Sequence, residues 1–267
     1  MMQKVRSFLV GLAIVAAIIL PVWFLAGAMG TKFGVLDWTI GFGLMAFQLG
    51  PLLMMGALAI AFLALGAALI VKPRKGILAA LLALIVPAAG LGYGASVRSQ
   101  VAHIPPIHDI STDMIDPPAF SQAVAEARAT ITRSNDLDYS TLTGPLAGQD
   151  PREVQARAYP DVRPIRVEID ADDAWMTARD TVEAMGWTIT REDQAAGVLE
   201  ATVSSFWYGF TDDIVVRVRT PVTQVGAIID LRSVSRVGVS DLGANAARIR
   251  AFRAAYSKRL EGAATGN

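Results

Sequence analysis

Three long apolar runs occupy the first third of the chain, after which the pattern shortens into alternating and helical periods. Residues 8–29 form an uncharged run of 22 residues, enough as a helix rising about 1.5 Å per residue to cross a hydrocarbon core of about 30 Å. Lys4 and Arg6 precede it. A cleaved signal peptide is the rival reading, since Ala26-Gly27-Ala28 has the small-x-small form of a cleavage site. The run exceeds the usual signal core of about 7–15 residues, which favours a retained helix. A second span falls between Leu44 and Val71, after an aromatic and glycine-rich loop over residues 32–43, and a third runs from Ile77 to about Gly94. Gly90, Gly92 and Gly94 follow a hydrophobic helix rather than a strand, so close helix packing explains them better than a phosphate-binding loop.

Residues 98–160 are broken by seven prolines, from Pro105 to Pro160, and read as an extended linker or strap with one helical island over residues 119–134. Period-2 alternation then appears at residues 163–169, where Ile165, Val167 and Ile169 face away from Arg166 and Glu168. Residues 170–185 read as a helix: Asp170 caps it, Asp172 and Asp173 suit its N-terminal end, and Trp175, Ala178, Val182 and Met185 share a face. Gly186 stops it. Four further strands at 187–191, 197–206, 214–219 and 224–235 have short connections, which predicts an antiparallel meander. Val216 and Val218 alternate with Arg217 and Arg219, and Ile229 and Leu231 with Asp230 and Arg232, so one sheet face is apolar and the other charged. A closing helix starting near Ser240 aligns Leu242, Ile249, Phe252, Tyr256 and Leu260 against the apolar face. The prediction is an α+β fold: an N-terminal region of three transmembrane helices, then an antiparallel sheet packed on two helices in the order β-α-β-β-β-β-α, helix-grip-like. It divides the chain into an anchor at 1–97, a strap at 98–160 and an α+β domain at 161–262.

Charge adds an orientation. The chain is neutral as a whole, yet residues 1–97 carry a net +5 and the remainder −5. Lys4, Arg6 and the cluster Lys72, Arg74 and Lys75 all fall on the cytoplasmic side if the chain runs in, out, in, out, which sends everything after the third span outside the cytoplasm. This predicts a multi-pass protein of a bacterial cytoplasmic (inner) membrane with its C-terminal domain in the periplasm. The spans hold no Asp, Glu, Lys, Arg or His, which suits an anchor better than a transporter. No basic stripe with interleaved aromatics points to nucleic acid, and nothing calls for a cofactor.

Candidate chemistry is sparse. With no cysteine, one lysine in the outer domain (Lys258) and both histidines in the strap, no nucleophile and base are paired in sequence, and a hydrolytic reading ranks last. Asn245 falls within the apolar arc of the last helix, where a buried amide needs partners. With Ser233, Ser235, Arg236, Ser240, Asp241 and Arg248 it makes a candidate polar pocket, able either to hold an anion at a helix N-terminus or to pin the strand-to-helix corner. Phe206, Trp207, Tyr208 and Phe210 form a candidate aromatic contact for a ligand, a partner or the bilayer interface. Arg217, Arg219, Asp230 and Arg232 form a candidate docking face. His103, His108 and Asp109 are the weakest candidate, a metal site without signature spacing and among prolines that forbid helical i,i+4 geometry.

The segments IPPIHDISTDMIDPPAF at 104–120, AYPDVRP at 158–164, FWYGFTDDIVVRV at 206–218 and RSVSRVGVSDLGANAARIRAF at 232–252 resemble the bacterial and plastid family catalogued as domain of unknown function 1499. The resemblance implies a shared domain and a membrane-anchored arrangement, and no activity. Its characteristic positions, Ser233, Ser235, Arg236, Gly238, Ser240, Asp241, Gly243, Asn245 and Arg248, overlap the polar pocket. The expected function is a non-catalytic interaction or scaffolding module of the cell envelope with a protein partner. The alternative is a lipid or small-anion binder using the cleft between sheet and C-terminal helix.

Overall fold

In a computed structural model that describes residues 1–142, 144–222 and 225–265, the three apolar runs are helices long and apolar enough to cross a membrane. They are α1 (Met2–Lys32), α2 (Gly50–Ile70) continued backwards by a π-helical stretch (Thr39–Leu49), and α3 (Ile77–Val101). The loop expected over residues 32–43 is shorter than predicted, because helical backbone already begins at Thr39. There the Asp37 carboxylate accepts from the Thr39 N–H at 2.8 Å and from its hydroxyl at 2.6 Å. The third helix likewise runs past Gly94 to Val101.

The chain divides into two compact units, Met1–His103 with Phe206–Gly209, and Ile104–Ser205 with Phe210–Asn267. Within the first, small residues let helices approach closely: Ala13, Ala61, Ala64, Ala80 and Ala83 form its buried cluster. A Cβ on Gly41 would lie 1.9 Å from the Thr31 hydroxyl and 2.6 Å from the Gly27 carbonyl oxygen, so this crossing admits only glycine. Arg6 donates to the carbonyls of Val71 and Pro73, and Gln3 to that of Lys72, which brings both basic segments to one end of the helices.

The second unit contains β1 (Asp109–Ser111), α4 (Gln122–Ala129), α5 (Pro151–Ala158), β2 (Ile165–Val167), α6 (Ala171–Ala184), β3 (Thr188–Asp193), β4 (Val198–Ser204), β5 (Thr211–Arg219), β6 (Ala227–Ser235) and α7 (Ala244–Thr265). The sheet is antiparallel in the order β1-β6-β5-β4-β3. Strand β2 also pairs with β6, at Ala227–Ile229, while β1 pairs at Arg232–Val234, so two short strands lie end to end along the outer edge of β6. Residue 224, the expected start of the last strand, lies outside the described residues. The helical island is shorter than expected, and β1 and α5 were not anticipated. Helix α5 is nevertheless conventionally started: Asp150 accepts from the Arg152 N–H at 2.8 Å and Pro151 takes the first turn.

Register assigns the faces. Leu199, Val216 and Leu231 form one cross-strand row and Ala201, Ile214 and Ser233 the next. These rows meet α6 and α7 through Ala178, Val182, Ile249 and Phe252. Phe252 stacks between Trp187 and Tyr256, at 5.8 Å to each ring. Each fully buried side chain of this size contributes about 1.5–3 kcal/mol relative to exposure. The opposite face carries Glu200, Arg217, Asp230 and Arg232.

Candidate functional site

The corner between β6 and α7 is shaped by its backbone. Leu242 and Gly243 have φ of 54° and 85°, left-handed values that no α-helix passes through. The helix therefore starts at Ala244 rather than near Ser240, and its cap is Asp241, whose carboxylate accepts from the N–H groups of Gly243 at 2.7 Å and Asn245 at 2.9 Å. Ser240 only receives the Leu242 N–H, at 3.1 Å. Leu242, expected against the sheet, points outward and is 52% exposed. Burial raises the pKa of Asp241, against the pull of the two N–H groups it accepts.

In the first turn of α7, Asn245 is fully buried and uses its whole hydrogen-bonding capacity. Its Oδ1 accepts from the Ser233 hydroxyl at 2.7 Å and from the Arg248 guanidinium. Its Nδ2 donates to the His108 carbonyl at 2.9 Å and to Ser235 Oγ at 3.1 Å. Arg248 also donates to Ser233 Oγ at 2.9 Å and to Asp212 at 2.6 Å. The structure thus joins Ser233, Ser235, Asn245 and Arg248, with Asp241 attached through the Asn245 backbone. It does not bring in Arg236 and Ser240. Asp212, absent from the predicted set, completes the network. Its neighbour Asp213 projects to the other sheet face, as adjacent strand residues must, and a metal pair of the two is thereby excluded.

On that other face residues from 109 to 139 pack over the candidate docking residues Arg217, Arg219, Asp230 and Arg232, burying Asp230 and Arg232 and leaving the Arg219 side chain 39% exposed. Asp230, wholly buried, accepts from Arg217 at 3.0 Å and Arg219 at 2.8 Å. Arg217 reaches Asp116 at 2.8 Å and Arg219 reaches Asp113 at 3.1 Å. Arg232 makes a two-pronged pair with Asp109 at 3.0 and 2.7 Å, donates to the Leu137 carbonyl at 2.7 Å, and lies near the rings of Phe120 and Tyr139. The packing is charge-matched, since the covering segment brings a carboxylate to each of the three arginines.

Arg128 and Gln155 had no signal as site residues, whereas Glu200 was legible as one of the charged positions of the sheet. Arg128 on α4 is 3% exposed and pairs with Asp213 at 2.7 Å, which Arg236 grips from the other side at 2.7 Å. Burial lowers the Arg128 pKa, and Asp213 opposes that shift. Glu200 accepts from the Ser121 hydroxyl at 2.7 Å at the start of α4. Gln155 on α5 donates to the Ser111 carbonyl at 2.6 Å and accepts from its N–H at 2.9 Å, in the manner of a neighbouring strand. The Asp150-Pro151 cap was a legible sign of α5; the inward turn of Arg128 had none.

The remaining candidates separate. Phe206, Trp207 and Tyr208 stand at the β4–β5 hairpin tip, with Phe210 just beyond it. Asp109 is engaged by Arg232. Among the described residues no group of three or more His, Asp or Glu is placed to hold a metal, so His103, His108 and Asp109 do not assemble one. A shallow groove of about 310 Å³ beside α4 is lined by Arg128, Ser134, Asn135 and Leu137.

A family model described as "Protein of unknown function (DUF1499)" matches residues 109–256, which runs from β1 through the aromatic stack of α7. No curated protein matches the chain.

Proposed function

The chain belongs to the DUF1499 family of proteins of unknown function, and we propose that it is a non-catalytic interaction or scaffolding protein of a bacterial cytoplasmic membrane, with its α+β domain in the periplasm. The observation that carries the non-catalytic reading is the closure of the corner network. Ser233, Ser235, Asn245 and Arg248 direct their hydrogen bonds to one another, to Asp212 and to the His108 carbonyl. Such a network fixes a shape without presenting a reactive group. The orientation is supported by Lys4, Arg6, Lys72, Arg74 and Lys75, which share one end of the helices and favour the cytoplasmic side.

Location is tested in intact cells with a membrane-impermeant maleimide, which the cysteine-free chain makes clean. Glu183→Cys should label directly and Lys75→Cys only after permeabilisation; the reverse pattern overturns the orientation. For the interaction, photo-crosslinkers at the exposed positions Met176 and Val239 should capture one reproducible neighbour in native membranes, and no capture at either counts against a docking role. The lipid or small-anion reading has less support, because Ile249, Phe252 and Tyr256 fill the layer between sheet and α7.

A further inference from the structure

The tip Phe206-Trp207-Tyr208-Gly209 lies outside the buried apolar cluster of the sheet. Phe206 is 70% exposed and Trp207 55%, although both are large and apolar. Their rings meet edge to face at 5.0 Å and form one aromatic projection. The turn that presents them is closed by the Ser205 N–H donating to the Phe210 carbonyl at 2.8 Å, and by the Phe210 N–H donating to the Ser205 hydroxyl at 3.0 Å. Tyr208 has a φ of 50°, followed by Gly209 at 66°. Asparagine or glycine suits the first of these positions better than tyrosine. An aromatic is thus kept where the backbone alone would select against it.

These four residues group with the helical unit. The Lys32 ammonium lies 4.3 Å from the Phe206 ring centroid, and the Tyr208 ring meets Phe42 edge-on at 5.1 Å. Lys32 is the last residue of α1, and Phe42 lies in the opening turn of the second span. Both therefore mark the level at which spanning helices leave hydrocarbon for headgroups. Phe33 and Val35, between those helices, are 71% and 79% exposed and extend the same apolar surface. Trp, Tyr and Phe beside a snorkelling Lys is the composition of a membrane–water interface.

We propose that the β4–β5 tip is a second membrane contact, with Phe206 and Trp207 seated in the headgroup and upper acyl region of the bilayer that α1 to α3 cross. Lys32 lies among the lipid phosphates beside them. The proposal rests on the helices spanning a membrane and is independent of which side the α+β domain occupies.

The test uses full-length protein in nanodiscs of phosphatidylcholine and phosphatidylglycerol, with a nitroxide label at one introduced cysteine at a time. At Phe206→Cys, power saturation should show greater access for oxygen than for an aqueous nickel chelate, at a value between those of Glu183→Cys on α6 and Phe47→Cys in the second span. A label as open to the chelate as that at Glu183 overturns the proposal, including the case in which a protein covers the tip in cells, because the nanodiscs hold no other protein. A water-exposed signal at Phe47 would instead overturn the spanning reading, and the proposal with it. The native ring is read separately as the fluorescence lost on Trp207→Phe. That component should be quenched by lipid brominated near the headgroup and spared by aqueous iodide, and the opposite result overturns the proposal.

Discussion

The two faces of the sheet are both closed, by opposite physics. On one, Ile229, Leu231, Val216 and Leu199 meet α6 and α7 in a layer that is favourable wherever apolar area leaves water. On the other, Arg217, Arg219 and Arg232 lie under a segment that supplies Asp116, Asp113 and Asp109 and sends its own Arg128 to Asp213 on β5, and every charge taken from water needs its partner in place. The first face should yield in proportion to the volume removed. The second should depend on matching, so that losing one member costs more than losing a complete set.

The largest effect should come from the apolar face. Phe252→Ala removes the middle ring of the stack with Trp187 and Tyr256 and should cost about 3–5 kcal/mol, read from the denaturant midpoint of the full chain in detergent. Next, Arg128→Met leaves Asp213 with Arg236 alone and should cost about 3 kcal/mol. If Arg128→Met, Asp213→Asn and Arg236→Met together recover most of that loss, the face is held by matching; if the triple variant is weaker still, the contrast between the faces fails. At the corner, Asn245→Ala strands Ser233 and the His108 carbonyl and should cost about 2 kcal/mol in the same measurement.

The smallest effect is a pH dependence at the surface. A side-chain hydrogen bond from Arg250 holds Asp161 at about 2, below its ordinary value of 3.8. The folded pKa is depressed, so the stability it lends is fully present above the ordinary carboxylate pKa and is lost as pH falls through about 2. Because the pair is half exposed, this amounts to less than about 1 kcal/mol. Arg250→Ala should flatten that part of the acid limb. Asp241 has the opposite sign: its raised pKa means that folding gains as pH falls through it. An acid titration of Asp241→Asn lacking that component would agree.

Much of this was legible in the sequence, and the illegible parts have a common cause. The alternation of Val216 and Val218 with arginines gave the strand and its faces, and Asp170 gave the start of α6, accepting from the Asp173 N–H at 2.8 Å. The position of Asn245 in the apolar arc pointed to its burial. Covering of the charged face was not legible, because alternating charges on a strand look the same whether they meet water or distant carboxylates. The pairing that decides the matter, Asp109 with Arg232, spans 123 residues. β1 is only three residues long and takes its identity from β6. The start of α7 was misplaced because Ser240 is a good cap in isolation, and the left-handed backbone at Leu242 is set by the corner around it.

The contrast is tested most directly by hydrogen exchange on the full-length protein in nanodiscs, followed at the backbone amides of Thr112, Asn135 and β6. The Thr112 N–H donates to Leu231 at 2.9 Å and that of Asn135 to Arg236 at 2.7 Å. If charge matching seals this face, both amides should be protected as long as those of β6 and should open with them. Exchange of Thr112 and Asn135 on the timescale of free peptide, with β6 still protected, would show the covering segment to be a loose strap over an open sheet.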